Sequence, residues 1–140
     1  MKKYIGTKTI MAEPMTMGEA YELNLLKAGV RPSECETDKA GYLVEYEGGY
    51  KSWSPAEPFE KAYKLSETFV DRLKNEYEEL TEKCEKLGKF LEDKDECIKK
   101  VGITQYEMLV RQRQHMNDYR SVVGCRLYEL GLQSMKQAVK

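Results

Sequence analysis

Two long stripes of apolar residues at helical spacing constrain the fold of this chain more than any other feature. From Thr68 onward, hydrophobic side chains recur every three or four residues over more than three heptads. The members of this first stripe are Phe69, Leu73, Tyr77, Leu80, Cys84, Leu87 and Leu91. The spacing predicts one amphipathic helix with a length of roughly 35 Å.

The second stripe follows a charged connection at residues 93–103. Thr104, with Glu107 three residues later, predicts a capping box that opens another helix. This stripe comprises Leu109, Gln112, Met116, Tyr119, Val123, Leu127 and Leu130. Two such helices joined by a short connection predict a long antiparallel αα-hairpin over residues 66–131. We expect residues 132–140, beyond Gly131, to form a frayed tail.

Residues 1–65 have a different character and predict a small antiparallel sheet with short helices. Residues 3–12 read as a strand, and residues 42–46 and 50–53 read as a β-hairpin around Gly48-Gly49. The fold class predicted for the chain is therefore α+β, a small N-terminal sheet followed by the helical hairpin.

Capping signals predict two short helices in this N-terminal region. Thr16 with Glu19 forms a capping box, and Gly29 is the expected stop of that helix. Ser54 and the Pro55 after it predict the N-cap and first position of a second helix, which would extend to about Lys64. The intervening residues 30–40 are predicted to form a loop.

Composition excludes several classes of protein. The 140 residues carry a formal net charge of −1, which argues against general affinity for DNA or RNA. No apolar run approaches the ~20 residues that span a bilayer, and no apolar region follows the first lysines as in a secretory signal. We therefore expect a cytoplasmic protein.

Metal binding and catalysis find little support in the sequence. The four cysteines are widely spaced, and His115 is the single histidine, so we expect no metal site and no cofactor. No glycine-rich phosphate loop is present. Asp118, three residues after His115, is more typical of a surface hydrogen bond than of a catalytic pair. The sequence predicts a protein without enzymatic activity.

A cluster of arginines suggests anion binding instead. Four of the six arginines lie within sixteen residues, and no lysine interrupts them. A guanidinium group can pair bidentately with phosphate, an advantage that a purely solvated surface does not need. On a helical wheel, one stripe beside the apolar face carries Tyr106, Arg113, Asn117, Arg120 and Gly124. In this stripe the Tyr106 ring would stack on a base or sugar, and Gly124 would let another backbone approach. This stripe either binds a nucleotide-like anion or forms the polar rim of a helix–helix interface.

The apolar faces of the two long helices also predict self-association. The N-terminal sheet would cover part of these stripes, and we expect hairpins to pack into a dimer or a larger assembly that covers the rest. The alternative is a compact monomer. A ligand held where subunits meet would reconcile the anion-binding and interface interpretations, since clefts are common at such contacts.

The residue pattern as a whole resembles a known family. The stretch from Phe69 to Leu91, with its Arg72, Glu76 and Lys83, and the later Met108-Leu109, Gln112, Met116, Tyr119 and Arg126-Leu127 resemble a helical hairpin of small phage and prophage proteins. The segments 3–8, 13–16, 41–46 and 52–55 resemble a leader of short phage proteins. Together they are similar to the phage anti-Thoeris sponge family, whose hairpin is related to that of the phage anti-CBASS cyclic-dinucleotide sponge.

This resemblance implies a non-enzymatic binding protein. It would sequester cyclic ADP-ribose isomers, with cyclic di- and trinucleotides as further ligands, as a homodimer or hexamer in the host cytoplasm. By residue type, Phe90 would stack on the ligand, and Arg113, Asn117 and Arg120 would contact phosphate or ribose. The alternative function is a phage regulator that uses its hairpin to bind another protein and has no small-molecule ligand.

Overall fold

The computed structural model describes residues 1–139, and Lys140 lies outside the described residues. The chain divides into two compact units, Met1–Lys64 and Leu65–Lys140. The first contains a three-stranded antiparallel sheet and two short helices, and the second consists of helices. The predicted α+β class is confirmed. No helix among the described residues is long and apolar enough to cross a membrane.

The first unit is built on a β-hairpin extended by one strand. Its elements are β1 (Met11–Pro14), α1 (Met17–Glu22), β2 (Gly41–Glu45), β3 (Lys51–Pro55) and α2 (Ala56–Ala62). The strands follow the order β1-β2-β3, and both pairings are antiparallel. The predicted hairpin is confirmed, because β2 and β3 flank a turn in which Gly48 and Gly49 both have positive φ.

The strand predicted at residues 3–12 is wrong for most of its length, since β1 begins at Met11. Met11 pairs with Glu45, the last residue of β2, and the chain turns away at residues 46–50. Residues 1–10 therefore extend past the end of β2, the strand with which β1 pairs. Their sequence favours a strand, but they form none among the described residues.

The predicted helix boundaries in this unit need correction. The capping box of Thr16 and Glu19 is present, but α1 ends at Glu22 rather than near Gly29. Helix α2 begins after Pro55, which occupies the N-cap position, so Ser54 is not the cap. The Ser54 hydroxyl instead donates to the Pro55 carbonyl at 3.3 Å. The helix ends at Ala62, slightly before the predicted Lys64.

Close packing between β2 and β3 depends on a glycine. Met17, Ala20 and Val44 are the buried apolar side chains of this unit. A Cβ atom added at Gly41 would lie 2.4 Å from both the Ser54 carbonyl oxygen and the Trp53 ring. The Trp53 indole is fixed from the other side, because its Nε1–H donates to the Met15 carbonyl at 2.8 Å.

The second unit forms the predicted antiparallel hairpin with an additional helix inserted. Its elements are α3 (Phe69–Leu91), α4 (Lys94–Val101) and α5 (Ile103–Val139). Helix α3 begins with a capping box of Thr68 and Asp71. The Thr68 backbone N–H donates to the Asp71 carboxylate and, as the main cause, holds the pKa of Asp71 below its ordinary value.

Three predictions for this unit are corrected. The connection at residues 93–103 is largely helical, because Asp93 caps α4 and accepts from the Glu96 N–H. Gly102, with φ of 86°, separates α4 from α5. Helix α5 begins at Ile103, and no capping hydrogen bond from Thr104 is found among the described residues. It continues past Gly131 to Val139, where a frayed tail was predicted.

Two glycines mark where side chains of the facing helix come close to α3 and α5. A Cβ atom on Gly88 would lie 2.7 Å from Nη2 of Arg113, and one on Gly124 would lie 3.1 Å from Cε2 of Tyr77. These contacts show that the helices are antiparallel, since a later α3 residue meets an earlier α5 residue. The buried side chains of this unit are Leu73, Cys84, Cys97 and Val123.

We predict that Gly41→Ala destabilises the first unit by about 3 kcal/mol, because neither a backbone carbonyl nor a hydrogen-bonded indole can move away freely. Urea unfolding followed by Trp53 fluorescence measures the effect directly. Gly6→Ala is the matched control, since a Cβ atom there would meet nothing within 4 Å. Equal unfolding midpoints for the two variants would show that β2 and β3 are not packed this closely.

Candidate ligand-binding groove

Helices α3 and α5 enclose a groove that contains two of the residues predicted to bind a ligand. This groove, called here the Arg120 groove, has a volume of about 530 Å³. Its lining residues are Tyr77, Asn117, Arg120, Ser121, Gly124, Cys125, Tyr128 and Glu129. Tyr77 comes from α3 and the others come from α5, so the hairpin itself assembles the groove.

The glycine in the groove has a role different from the one predicted. Gly124 was expected to admit a neighbouring backbone. It instead admits the ring of Tyr77, whose Cε2 would lie 3.1 Å from an added Cβ atom. The absence of a side chain at Gly124 therefore brings an aromatic ring from α3 to the same groove as Asn117 and Arg120.

Arg120 is partly buried and available for an anion. Among the described residues, no carboxylate lies within ion-pair distance of any of the four clustered arginines of α5, whereas Lys51, Lys61, Lys86 and Lys99 all form ion pairs. An arginine without an internal counter-charge keeps all of its donors for a ligand. Asn117, one turn earlier and half-buried, likewise makes no described hydrogen bond.

Arg113 occupies a separate position. Its guanidinium group packs over Gly88 of α3, and it is not among the residues that line the Arg120 groove. The two arginines share a stripe of α5, as the helical wheel indicated. The structure nevertheless gives them different neighbours, and only Arg120 is grouped with the tyrosines.

The two aromatic residues predicted to stack on a ligand lie beside α4. Lys94 Nζ is 5.7 Å from the ring centroid of Tyr106, and Lys100 Nζ is 6.0 Å from that of Phe90. Both ammonium groups come from α4 and are within range of a cation–π interaction. Phe90 and Tyr106 are therefore associated with a helix that the sequence analysis described as a connection.

Sequence reasoning missed the aromatic residues that do line the groove. Tyr77 was assigned to the apolar stripe of α3, and Tyr128 lies beyond the arginine cluster that defined the predicted site. The signal that could have found Tyr77 was the small residue on the facing helix, because a glycine opposite a large ring permits close approach. Recognising it required the register between α3 and α5.

The same register places Thr81 opposite Arg120. The Thr81 hydroxyl oxygen is buried and has no hydrogen-bond partner among the described residues. Buried side-chain oxygens are rarely left without a partner. The Thr81 hydroxyl, which has no described partner, therefore lies opposite Arg120 in the pairing of α3 with α5.

Two further grooves lie along α5, and the second shares Ser121, Cys125 and Glu129 with the Arg120 groove. One is formed by α5 alone and is lined by Met108, Arg111, Gln112, His115, Met116 and Tyr119. The other includes Phe69, whose ring centroid is 5.6 Å from Cζ of Arg126. The clustered arginines thus face several directions. Among the described residues, no group of three or more His, Cys, Asp or Glu side chains could hold a metal ion.

Comparison with known proteins gives a family match that lies within the helical unit. Residues 67–128 match the family model named Sequestin. This segment contains the capping box of α3, all of α4 and every residue that defines the Arg120 groove except Glu129. No curated protein and no solved structure matches the chain. The helical unit is therefore similar to the Sequestin family.

We predict that Gly88→Ala leaves the fold intact while it displaces Arg113. The new methyl group would meet the far end of a flexible side chain, and alanine gains up to about 1 kcal/mol over glycine inside a helix. The NMR signal of the Arg113 Nε–H should shift, with unfolding stability equal or higher. Gly131→Ala, which meets nothing within 4 Å, is the control. A loss of stability above about 2 kcal/mol would contradict the free movement of Arg113.

Proposed function

We propose that this protein is a phage or prophage sponge that sequesters cyclic nucleotide immune signals without degrading them. Its proposed ligands are cyclic ADP-ribose isomers, with cyclic di- and trinucleotides as further candidates. By holding the signal, the protein would block an anti-phage defence such as Thoeris. Its proposed location is the cytoplasm of the host bacterium, where such signals are made.

The observation that carries this proposal is the position of Arg120. A guanidinium group without a carboxylate partner lies with Asn117 and two tyrosines in one groove, inside a segment that matches a family named for sequestration. Guanidinium binds phosphate, an amide binds ribose hydroxyls or base edges, and an aromatic ring stacks on a base. These are the chemical groups that a cyclic nucleotide requires.

Sequestration also fits the chemistry of the residues better than turnover does. His115 is exposed and forms no described hydrogen bond with Asp118, so this pair lacks the orientation that general base catalysis needs. Arg120 and Asn117 can hold an anion but are poor acids, bases and nucleophiles near neutral pH. A site of this composition favours tight binding of an intact ligand.

A second candidate function is supported by a different surface. Helix α5 exposes apolar side chains, including Tyr119 at 48% and Val122 at 58% exposure. An exposed helix face of this kind can bind another helix. The chain would then act as a protein-binding phage regulator without a small-molecule ligand. Under the sponge proposal, the same face joins copies of the chain into a homodimer or hexamer.

A panel of cyclic ADP-ribose isomers and cyclic di- and trinucleotides distinguishes the two functions. A ligand at a thousandfold excess over its Kd stabilises the folded protein by about 4 kcal/mol, which a thermal-shift assay detects. After denaturation, chromatography should return the bound ligand chemically intact. No shift with any member would support the protein-binding function, and conversion of a ligand by substoichiometric protein would show an enzyme.

We predict that Arg120→Ala weakens binding of the active panel member by tenfold to a hundredfold, equivalent to the roughly 1.5–3 kcal/mol of a charge-assisted hydrogen bond. Arg120→Lys should recover only part of the affinity, because the charge remains while the planar fork is lost. Calorimetry measures both. Arg72→Ala is the matched control, since Arg72 is exposed on α3 and lies outside the groove.

The contribution of Arg113 can be separated in the same experiment. Arg113→Ala should weaken binding only if the guanidinium leaves Gly88 when the ligand binds. Unchanged affinity in folded Arg120→Ala protein would mean that Arg120 does not contact the ligand and that the assignment of the site to the Arg120 groove is wrong.

We also predict that the protein is larger than one chain in solution. Light scattering should give a mass of at least two chains, and Val122→Glu should lower it, because a charge would be buried in the contact between α5 faces. Lys136→Glu, which changes an exposed charge near the end of the same helix, is the control. A monomer at micromolar concentration would contradict assembly through α5.

A further inference from the structure

The first ten residues form an exposed segment, called here the arm, that has the sequence of a strand but no partner. Outside the β1–β2 ladder, no described hydrogen bond involves the arm. Tyr4 and Ile5 are 85% and 86% exposed. Aromatic and β-branched residues favour strands because they pack on a pleated surface, yet the arm extends past the end of β2.

One edge of the sheet is free to accept another strand. Tyr46 N–H donates to the Tyr50 carbonyl at 2.8 Å, so the backbone groups of every second residue along β3 point toward β2. By this alternation, Ser52 and Ser54 face β2, whereas the N–H and carbonyl groups of Lys51 and Trp53 point to the outer edge. Neither outer N–H makes a described hydrogen bond. An open edge of this kind recruits extended segments.

The distribution of charged residues indicates which segment pairs with the outer edge of β3. The arm carries Lys2, Lys3 and Lys8 and no acidic residue, whereas residues 11–64 contain ten acidic and six basic side chains, a net charge of −4. Pairing of two arms with each other would place lysines of one against lysines of the other, which is unfavourable. Opposite charge therefore favours an arm on the sheet of another copy.

Acidic residues flank β3 on both sides in the sequence. Glu47 precedes this five-residue strand and Glu57 follows it. Five residues of extended chain span about 17 Å, and Lys3 and Lys8 are five residues apart. Glu47 has no described partner, and Glu57 forms only an exposed pair with Lys61 at 2.8 Å, which a second lysine can join. The lysines near both ends of the arm are therefore opposite in charge to the residues on either side of β3.

We propose that the arm adds as a fourth strand to the outer edge of β3 in a second copy of this chain. The interaction is independent of any ligand and uses residues of the first unit only. Main-chain hydrogen bonds to Lys51 and Trp53 would provide binding, and the lysines at the two ends would set the position along the edge.

Amide hydrogen exchange of the full-length protein, measured by NMR at two protein concentrations, tests this proposal. The N–H groups of Lys51 and Trp53 should exchange at least tenfold more slowly at the higher concentration. Those of Ser52 and Ser54, bonded to β2, should not depend on concentration. Protection of Lys51 and Trp53 that is the same at both concentrations, or absent at both, would overturn the proposal.

Variants that reverse the charges of the arm, and then those of the acidic residues that flank β3, provide a matched test. The double variant Lys3→Glu/Lys8→Glu should lose the concentration-dependent protection, and folding should be unaffected because both lysines are exposed. Adding Glu47→Lys/Glu57→Lys should restore it, since opposite charges again face each other. Protection that persists in the double variant, or that the four combined changes fail to restore, would overturn the proposal. Variants of α5 should leave this protection unchanged.

Discussion

The contact between α3 and α5 is the interaction on which the candidate site depends. Val123 is buried in the helical unit, and Gly88 and Gly124 let side chains of the facing helix approach closely. A glycine in a helix costs about 1 kcal/mol relative to alanine. The absence of a side chain at Gly124 leaves room for the Tyr77 ring in the Arg120 groove. The site is therefore a consequence of helix register rather than of a separate binding loop.

The arginines of α5 show how one helix can serve several surfaces. A helix turns about 100° per residue, so residues spaced irregularly along it face different directions. Arg113 packs on α3, Arg120 lines the groove, and Arg126 lies over Phe69. For all four arginines of the cluster to bind one ligand, they would have to lie on one face of α5, and they do not. The cluster in the sequence is thus divided among packing on α3, the lining of the Arg120 groove and an aromatic contact with Phe69.

The first unit combines a tightly packed sheet with open edges. Gly41 and Trp53 hold β2 and β3 together, and β1 covers the other side of β2. Residues 1–10 have the composition of a strand, but the hairpin is too short to pair with them. The sequence of these residues favours a strand, but β2 ends before it could pair with them. Because a strand needs a neighbour to satisfy its backbone, tertiary context overrode the propensity of the arm.

The sequence by itself determined the long helices, the hairpin around Gly48-Gly49 and the capping box of α1, because these depend on local periodicity and on side chains three residues apart. It also identified Asn117 and Arg120 as neighbours, since one helical turn separates them. Only the tertiary structure decided that Tyr77 and Tyr128 join them, that Arg113 packs on Gly88, and that Phe90 and Tyr106 lie beside α4. Those outcomes depend on the register between α3 and α5 and on the position of α4, which no local pattern in the sequence encodes.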